Sequence, residues 1–330
     1  MNKIYFLVEH TNIHNSSGIN TFLNHLKYLL NNIEVVTLQS TVNYINIKSG
    51  NFSNKGLIIA NDYTSMLYLK NNIDILKKNK VLFYTHIGDM LHLYEKDENL
   101  DFHRSVSLEI IDFIKENNIM VGTQSDKYKN FIVNTFSIEK VFTLYEPLFL
   151  NNKIISKEKI YDYIIISSFY PRKNFDDMLD YLSKYKHKTL ILCSNSEDLH
   201  KEVSKRKLNN YVKIISNISN FTLPFFITKS KALLHLAKTE VMPYSILEAN
   251  RFIPCIINGN SNWGKSIDDY FYGNHIYSIK DTKDFDSIEN IFNNLKSFSE
   301  EDKLNYNNLK LYQDKVLSQW NTFLEREVFL

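Results

Sequence analysis

The sequence predicts an α/β protein made of two doubly wound, Rossmann-like domains. Three observations carry that expectation. Short apolar runs rich in Ile, Leu and Val recur along the chain, and continuous rather than alternating runs mark strands buried on both faces. Between them lie segments with apolar residues at helical spacing, so strand and helix alternate in both halves. At 330 residues the chain exceeds one ordinary core, and the charged, weakly patterned stretch from Leu148 to Lys159 offers a boundary. Domains over 1–150 and 151–303 follow, with a last helical segment over 304–330.

In the first half, Ile4 to Val8 reads as a strand, His10 to Ser17 as a loop, and Ile19, Phe22, Leu23, Leu26 and Leu29 as the apolar face of a helix. Gly18 stands at the junction. Further strands are expected at Glu34 to Leu38, Gly56 to Ile59 and Val81 to Tyr84. The last of these leads to His86, just past a carboxyl strand end, where such sheets bind ligands; a hydrogen bond within a turn is the plain alternative. Ile119 to Thr123 reads as another strand, with Ser125 capping the helix that follows.

The second half opens with a strand at Tyr163 to Ser167 and a helix at Phe175 to Leu182, joined by a loop that contains Arg172 and Lys173. Strands at Thr189 to Cys193 and Tyr211 to Ile215 come next, and Ser194-Asn195-Ser196 ends the first of them where a base or ribose would be read by small side chains. Leu233, Leu234 and Leu236 form a buried strand, and Ile253 to Ile257 forms another after an intervening helix. Pro243 suits the first position of that helix, which would turn the amides of Tyr244 and Ser245 toward an anion such as a phosphate. Glu240 and Glu248 flank the spot at E-x7-E spacing. Carboxylates accept charge-assisted hydrogen bonds from adjacent hydroxyls, although acids near a helix start also serve simply as favourable charge. Helices at Ile288 to Leu295 and Leu304 to Phe323 close the chain.

Composition narrows the classes. Charged residues at 23% and hydrophobic residues at 44% are globular values, and a net charge of +2 neither demands nor excludes a nucleic-acid partner. Cys193 and Cys255 sit in apolar runs, which suits small hydrophobes rather than a disulfide or metal framework. The opening MNKIYFLVEH turns polar too soon for a signal core or a membrane span, so a cytoplasmic chain with no integral membrane segment is expected. Asp284-Phe285-Asp286 reads as charge at a helix start rather than a metal pair, and Trp263 either stacks on an acceptor or packs. The abundance of Asn, Lys, Ile, Tyr and Phe fits an AT-rich genome, bacterial or phage.

The E-x7-E pair, Gly18, His86 and the loop Ser168-Phe169-Tyr170-Pro171-Arg172-Lys173-Asn174-Phe175 together resemble retaining glycosyltransferases of the GT-B fold, particularly family 4. The resemblance spans nearly the whole chain. It implies two Rossmann-like domains facing across a cleft, the first on the acceptor side, the second binding a nucleotide-sugar, with the last helix returning to the first domain. It also implies site roles. Lys173 would neutralise the leaving diphosphate, Glu240 would contact sugar hydroxyls and His86 would lie against the sugar. Gly18, Arg172, Tyr244, Ser245 and Glu248 would bind the donor, Glu248 at the ribose. No cofactor or metal is implied beyond the nucleotide-sugar co-substrate. The chain departs from the family at Ser168, where an arginine is usual, at Val241 and Met242, and at Ser16-Ser17, where a further glycine is usual. The acceptor implied is a glycan or lipid-linked sugar. A hydroxymethylated base in phage DNA is an alternative suggested by the stretch from His86 to His92, and a binding protein without activity is another.

Overall fold

The computed structural model describes residues 3–9, 18–30, 33–40, 45–52, 55–85, 101–147, 158–194, 196–216, 218–219, 222–238, 243–261, 275–295 and 303–329. The chain divides into two compact units, one of Met1–Ile13, Phe22–Leu148 and Asp314–Leu330, the other of His14–Thr21 and Phe149–Gln313. Each is built on its own sheet.

The described elements of the first half run β1 (Lys3–Glu9), α1 (Gly18–Leu29), β2 (Ile33–Ser40), β3 (Ile45–Ser49), β4 (Gly56–Ala60), α2 (Tyr63–Asn71), α3 (Ile73–Lys78), β5 (Lys80–Thr85), α4 (Asp101–Glu116), β6 (Met120–Thr123), α5 (Asp126–Phe136) and β7 (Val141–Thr143). The sheet has the order β3-β2-β1-β4-β5-β6-β7 and is parallel apart from the β2/β3 pair. Tyr5, Leu7, Ile58, Phe83 and Val121 form its buried core with Met66, Leu69 and Ile114 from the helices. Continuous apolar strands are explained by this burial on both faces.

Aromatic packing fixes the last helix to the first unit. The Tyr84 ring stacks on Phe22 with centroids 4.6 Å apart, and Trp320 lies 5.7 Å from Tyr84. A buried indole N–H needs an acceptor, and Trp320 Nε1 donates to the Tyr145 carbonyl at 2.9 Å. Gly122 leaves room for the Tyr84 ring, because a Cβ there would lie 2.8 Å from Tyr84 Cδ2.

The second half runs β8 (Tyr161–Ile166), a 3-10 turn (Pro171–Lys173), α6 (Phe175–Tyr185), β9 (Thr189–Leu192), α7 (Glu197–Lys205), β10 (Val212–Ile215), α8 (Leu223–Thr228), β11 (Ser230–His235), α9 (Tyr244–Ala249), β12 (Cys255–Asn258), β13 (Ile276–Ile279) and α10 (Phe285–Asn293). Then α11 (Lys303–Phe323) continues into a short π-helical end at Leu324–Phe329. The second sheet is wholly parallel in the order β10-β9-β8-β11-β12-β13. At its amino edge, His187 Nε2 lies 2.7 Å from Glu289 Oε2, while Tyr181 donates to the same oxygen at 2.8 Å, tying α10 to α6. Among the described residues no helix is long and apolar enough to cross a membrane.

Sequence and structure agree on the alternation and differ at particular elements. Strands β3, β7 and β13 are too short to stand out alone, and pairing to a neighbouring strand creates them. The expected strand at Ile253 starts instead at Cys255, because Ile253 N donates to Ala249 O at 3.0 Å and closes α9. Leu236 falls just beyond β11. Pro243 is not the first helical residue: its φ of −82° and ψ of 85° place it at the N-cap, with Tyr244 as the first residue of α9. Ser125 does cap α5, accepting from Tyr128 N at 3.3 Å. Asp284 caps α10 and accepts from Ser287 N at 3.1 Å, while Asp286 accepts from Lys184 Nζ at 2.7 Å. Both cysteines are buried.

Candidate functional site

In an open parallel sheet, ligands bind at the carboxyl strand ends where the strand order reverses. In the second sheet that point lies between β8 and β11. The chain leaves β8 through Ser167 to Tyr170 and enters the 3-10 turn, in which Lys173 N donates to Tyr170 O at 2.9 Å. Pro171 presets the backbone at the start of this turn. Phe169 meets the Phe175 ring edge-on at 5.1 Å, anchoring the loop to α6. Arg172 is exposed and Lys173 half-buried.

The loop leaving β11 is bonded to this turn. Lys238 N donates to Arg172 O at 2.9 Å, and Asn174 Nδ2 donates to Leu236 O at 3.2 Å. From the other side, Asn258 Nδ2 donates to Ala237 O at 3.1 Å. Three cationic residues, Arg172, Lys173 and Lys238, therefore occupy two loops that are joined by a backbone bond and a side-chain bond at one switch point. Lys238, Asn174 and Asn258 escaped the sequence reading. The available signal for Lys238 was its place directly after a buried apolar strand.

Helix α9 starts beside the same strand end. Pro243 O accepts from Ile246 N at 2.9 Å and from Leu247 N at 3.2 Å, and the Tyr244 and Ser245 amides stand before these first helical bonds. Ser245 Oγ lies 3.4 Å from His235 Nδ1 at the end of β11. Glu248 follows one turn later. Burial pushes its carboxyl up to about 8, with Arg251 pulling weakly in the opposite direction.

Thus Arg172, Lys173, Tyr244, Ser245 and Glu248 fall on the loops and the helix that follow β8 and β11. Gly18 opens α1. Glu240, His86, His92, Trp263, Val241 and Met242 lie outside the described residues. Ser168, where the related pattern has arginine, places its Oγ 3.0 Å from Ser194 Oγ, and Ser196 Oγ lies 2.8 Å from Ser216 Oγ. One hydroxyl pair therefore lies past the ends of β8 and β9, and another joins the segments after β9 and β10.

Comparison with solved structures finds the same architecture. The chain is similar to sucrose-phosphate synthase from Thermosynechococcus elongatus, with a TM-score of 0.65 and 12% identity over 96% of this chain and 95% of that one. It is similar to Anabaena HepE in complex with UDP-glucose, with a TM-score of 0.65 and 13% identity over 97% and 95% of the two chains. The catalytic domain of starch synthase IV from Arabidopsis thaliana, bound to ADP and acarbose, gives a TM-score of 0.62 and 11% identity over 98% and 97%. At such identities the likeness is one of fold. Among curated proteins none matches the chain in sequence. Residues 149–307 match the family described as Glycosyl transferases group 1, and the chain as a whole has the two-sheet GT-B fold.

Proposed function

We propose that the chain is a retaining, metal-independent glycosyltransferase of family 4 type, moving a sugar from a nucleotide-sugar to a hydroxyl of a glycan or lipid-linked sugar. The observation that carries this is the β8/β11 switch point, where Arg172, Lys173 and Lys238 share one pair of joined loops beside the start of α9. The match of residues 149–307 to glycosyl transferases supports the reaction class. The UDP-glucose bound by HepE and the ADP and acarbose bound by starch synthase IV support a nucleotide-sugar donor and a sugar acceptor rather than DNA.

In this mechanism the leaving group is a nucleoside diphosphate whose charge grows as the glycosidic bond breaks. Lys173 and Arg172 hold that charge, with the Tyr244 and Ser245 amides and the α9 start adding fixed dipoles. Glu240 accepts from the sugar hydroxyls and Glu248 bonds the ribose. Gly18 lets backbone approach the donor phosphates, and His86 lies against the sugar. The acceptor hydroxyl attacks on the face the leaving group vacates, so configuration is retained with no protein nucleophile.

The test is a panel of UDP-, ADP-, GDP- and dTDP-sugars with glucosides, glycan fragments and lipid-linked sugars as acceptors. Transfer by the wild type, reduced about a hundredfold or more in Lys173→Ala at unchanged folding, is the expected result. Binding of a nucleotide-sugar with no turnover on any acceptor would instead assign a binding protein, for which Ser168 in place of arginine gives a reason.

A further inference from the structure

We propose that Asn174 is a positioning residue that sets the register between the Arg172-Lys173 turn and the exit of β11, so that Lys173 and Lys238 meet a nucleoside diphosphate as one surface. The inference rests on the donor-binding reading above and adds a residue and a mode of action to it.

Asn174 adopts the left-handed conformation, with φ of 57° and ψ of 43°, which asparagine and glycine tolerate better than other residues. The backbone alone would be served by glycine. The side chain is buried, and its amide donates twice, to Asp177 Oδ2 at 2.8 Å and to Leu236 O at 3.2 Å, across 62 residues of sequence. Asp177 Oδ2 is itself held by Thr282 Oγ1 at 2.5 Å, which orients the acceptor. The staple reaches the backbone beside Lys173 at one end and two residues short of Lys238 at the other. Lys238 N to Arg172 O, at 2.9 Å, is the second stitch of the same seam. Loss of the amide removes one of the described bonds that join the two loops, and charged contacts to phosphate are sensitive to displacements of about 1 Å.

The experiment is calorimetric titration of the full chain with UDP, ADP, GDP and dTDP, using Asn174→Gly and Asn174→Asp, each with and without Lys173→Ala. Asn174→Gly keeps the backbone conformation; Asn174→Asp keeps the size and loses both donors, so either variant that folds suffices. Expected is about tenfold weaker binding of the nucleoside diphosphate, with a clearly smaller effect in the Lys173→Ala background, because Asn174 acts by placing Lys173 beside Lys238. A residue needed only for folding would lower the melting temperature and leave the affinity of the folded protein unaltered. Unaltered affinity, or the same tenfold loss with Lys173 already removed, overturns the inference. Failure of the wild type to bind any of the four nucleotides overturns the donor-binding reading itself, and the inference with it.

Discussion

Glu248 gives a sharp test of the site's electrostatics. Replacement by glutamine mimics the protonated carboxyl in shape and hydrogen bonding but cannot ionise. In the folded chain the carboxyl holds its proton up to about 8, whereas in the unfolded chain it releases it near its ordinary value of 4.5. Between these values the unfolded state binds fewer protons, so this group makes stability fall as pH rises. The full displacement corresponds to about 5 kcal/mol at about 1.4 kcal/mol per tenfold. The residue is only half-buried, and water reaching it screens the cost, which reduces the expected effect to about 1–2 kcal/mol. Urea denaturation of wild type and Glu248→Gln at intervals from pH 5 to 8.5 measures it. Relative to the variant, the wild type should lose that amount across the range. Parallel stability profiles would refute the claim that burial governs this carboxyl.

Other predictions follow from the same reasoning. Glu240→Gln should weaken binding of the intact nucleotide-sugar by about 1.5–3 kcal/mol and spare the free nucleoside diphosphate, because only the sugar hydroxyls lose a charged acceptor; equal losses in paired titrations would assign Glu240 to holding its loop. Trp320→Ala should destabilise the first unit by about 3–5 kcal/mol in denaturant unfolding, since it empties a fully buried ring site and leaves the Tyr145 carbonyl without its indole donor; a change under about 1 kcal/mol would show that the site collapses freely. Burial would raise Glu289, but hydrogen bonds from His187 and Tyr181 outweigh it and hold the carboxyl below its ordinary range. Its contribution is therefore present above about pH 4.5 and lost as pH falls through the lowered value. Acid unfolding monitored by circular dichroism should occur at higher pH in Glu289→Gln, and an unchanged midpoint would count against that bond.

Features that depend on short stretches of chain were legible before folding was considered. Apolar runs such as Ile164–Ile166 and Leu190–Leu192, alternating with amphipathic helices, require parallel strands buried on both faces, and strand-helix alternation leaves few topologies besides a doubly wound sheet. Ser125 was legible as a cap because its bond spans three residues. The Arg172-Lys173 loop and Glu248 were legible as site candidates because their places after a strand and within a helix could be counted along the chain. What joins distant segments was not legible. Asn174 meets Leu236 across 62 residues, Asn258 meets Ala237 across 21, and Trp320 meets Tyr145 across 175; no local pattern specifies the partner of a side-chain donor over such distances. Strands β3 and β13 exist because a neighbouring strand accepts their hydrogen bonds, and the raised Glu248 carboxyl exists because the folded chain removes water from it. Periodicity and capping are set within one or two turns of chain, whereas strand pairing, desolvation and loop registration arise only once the sheet is assembled.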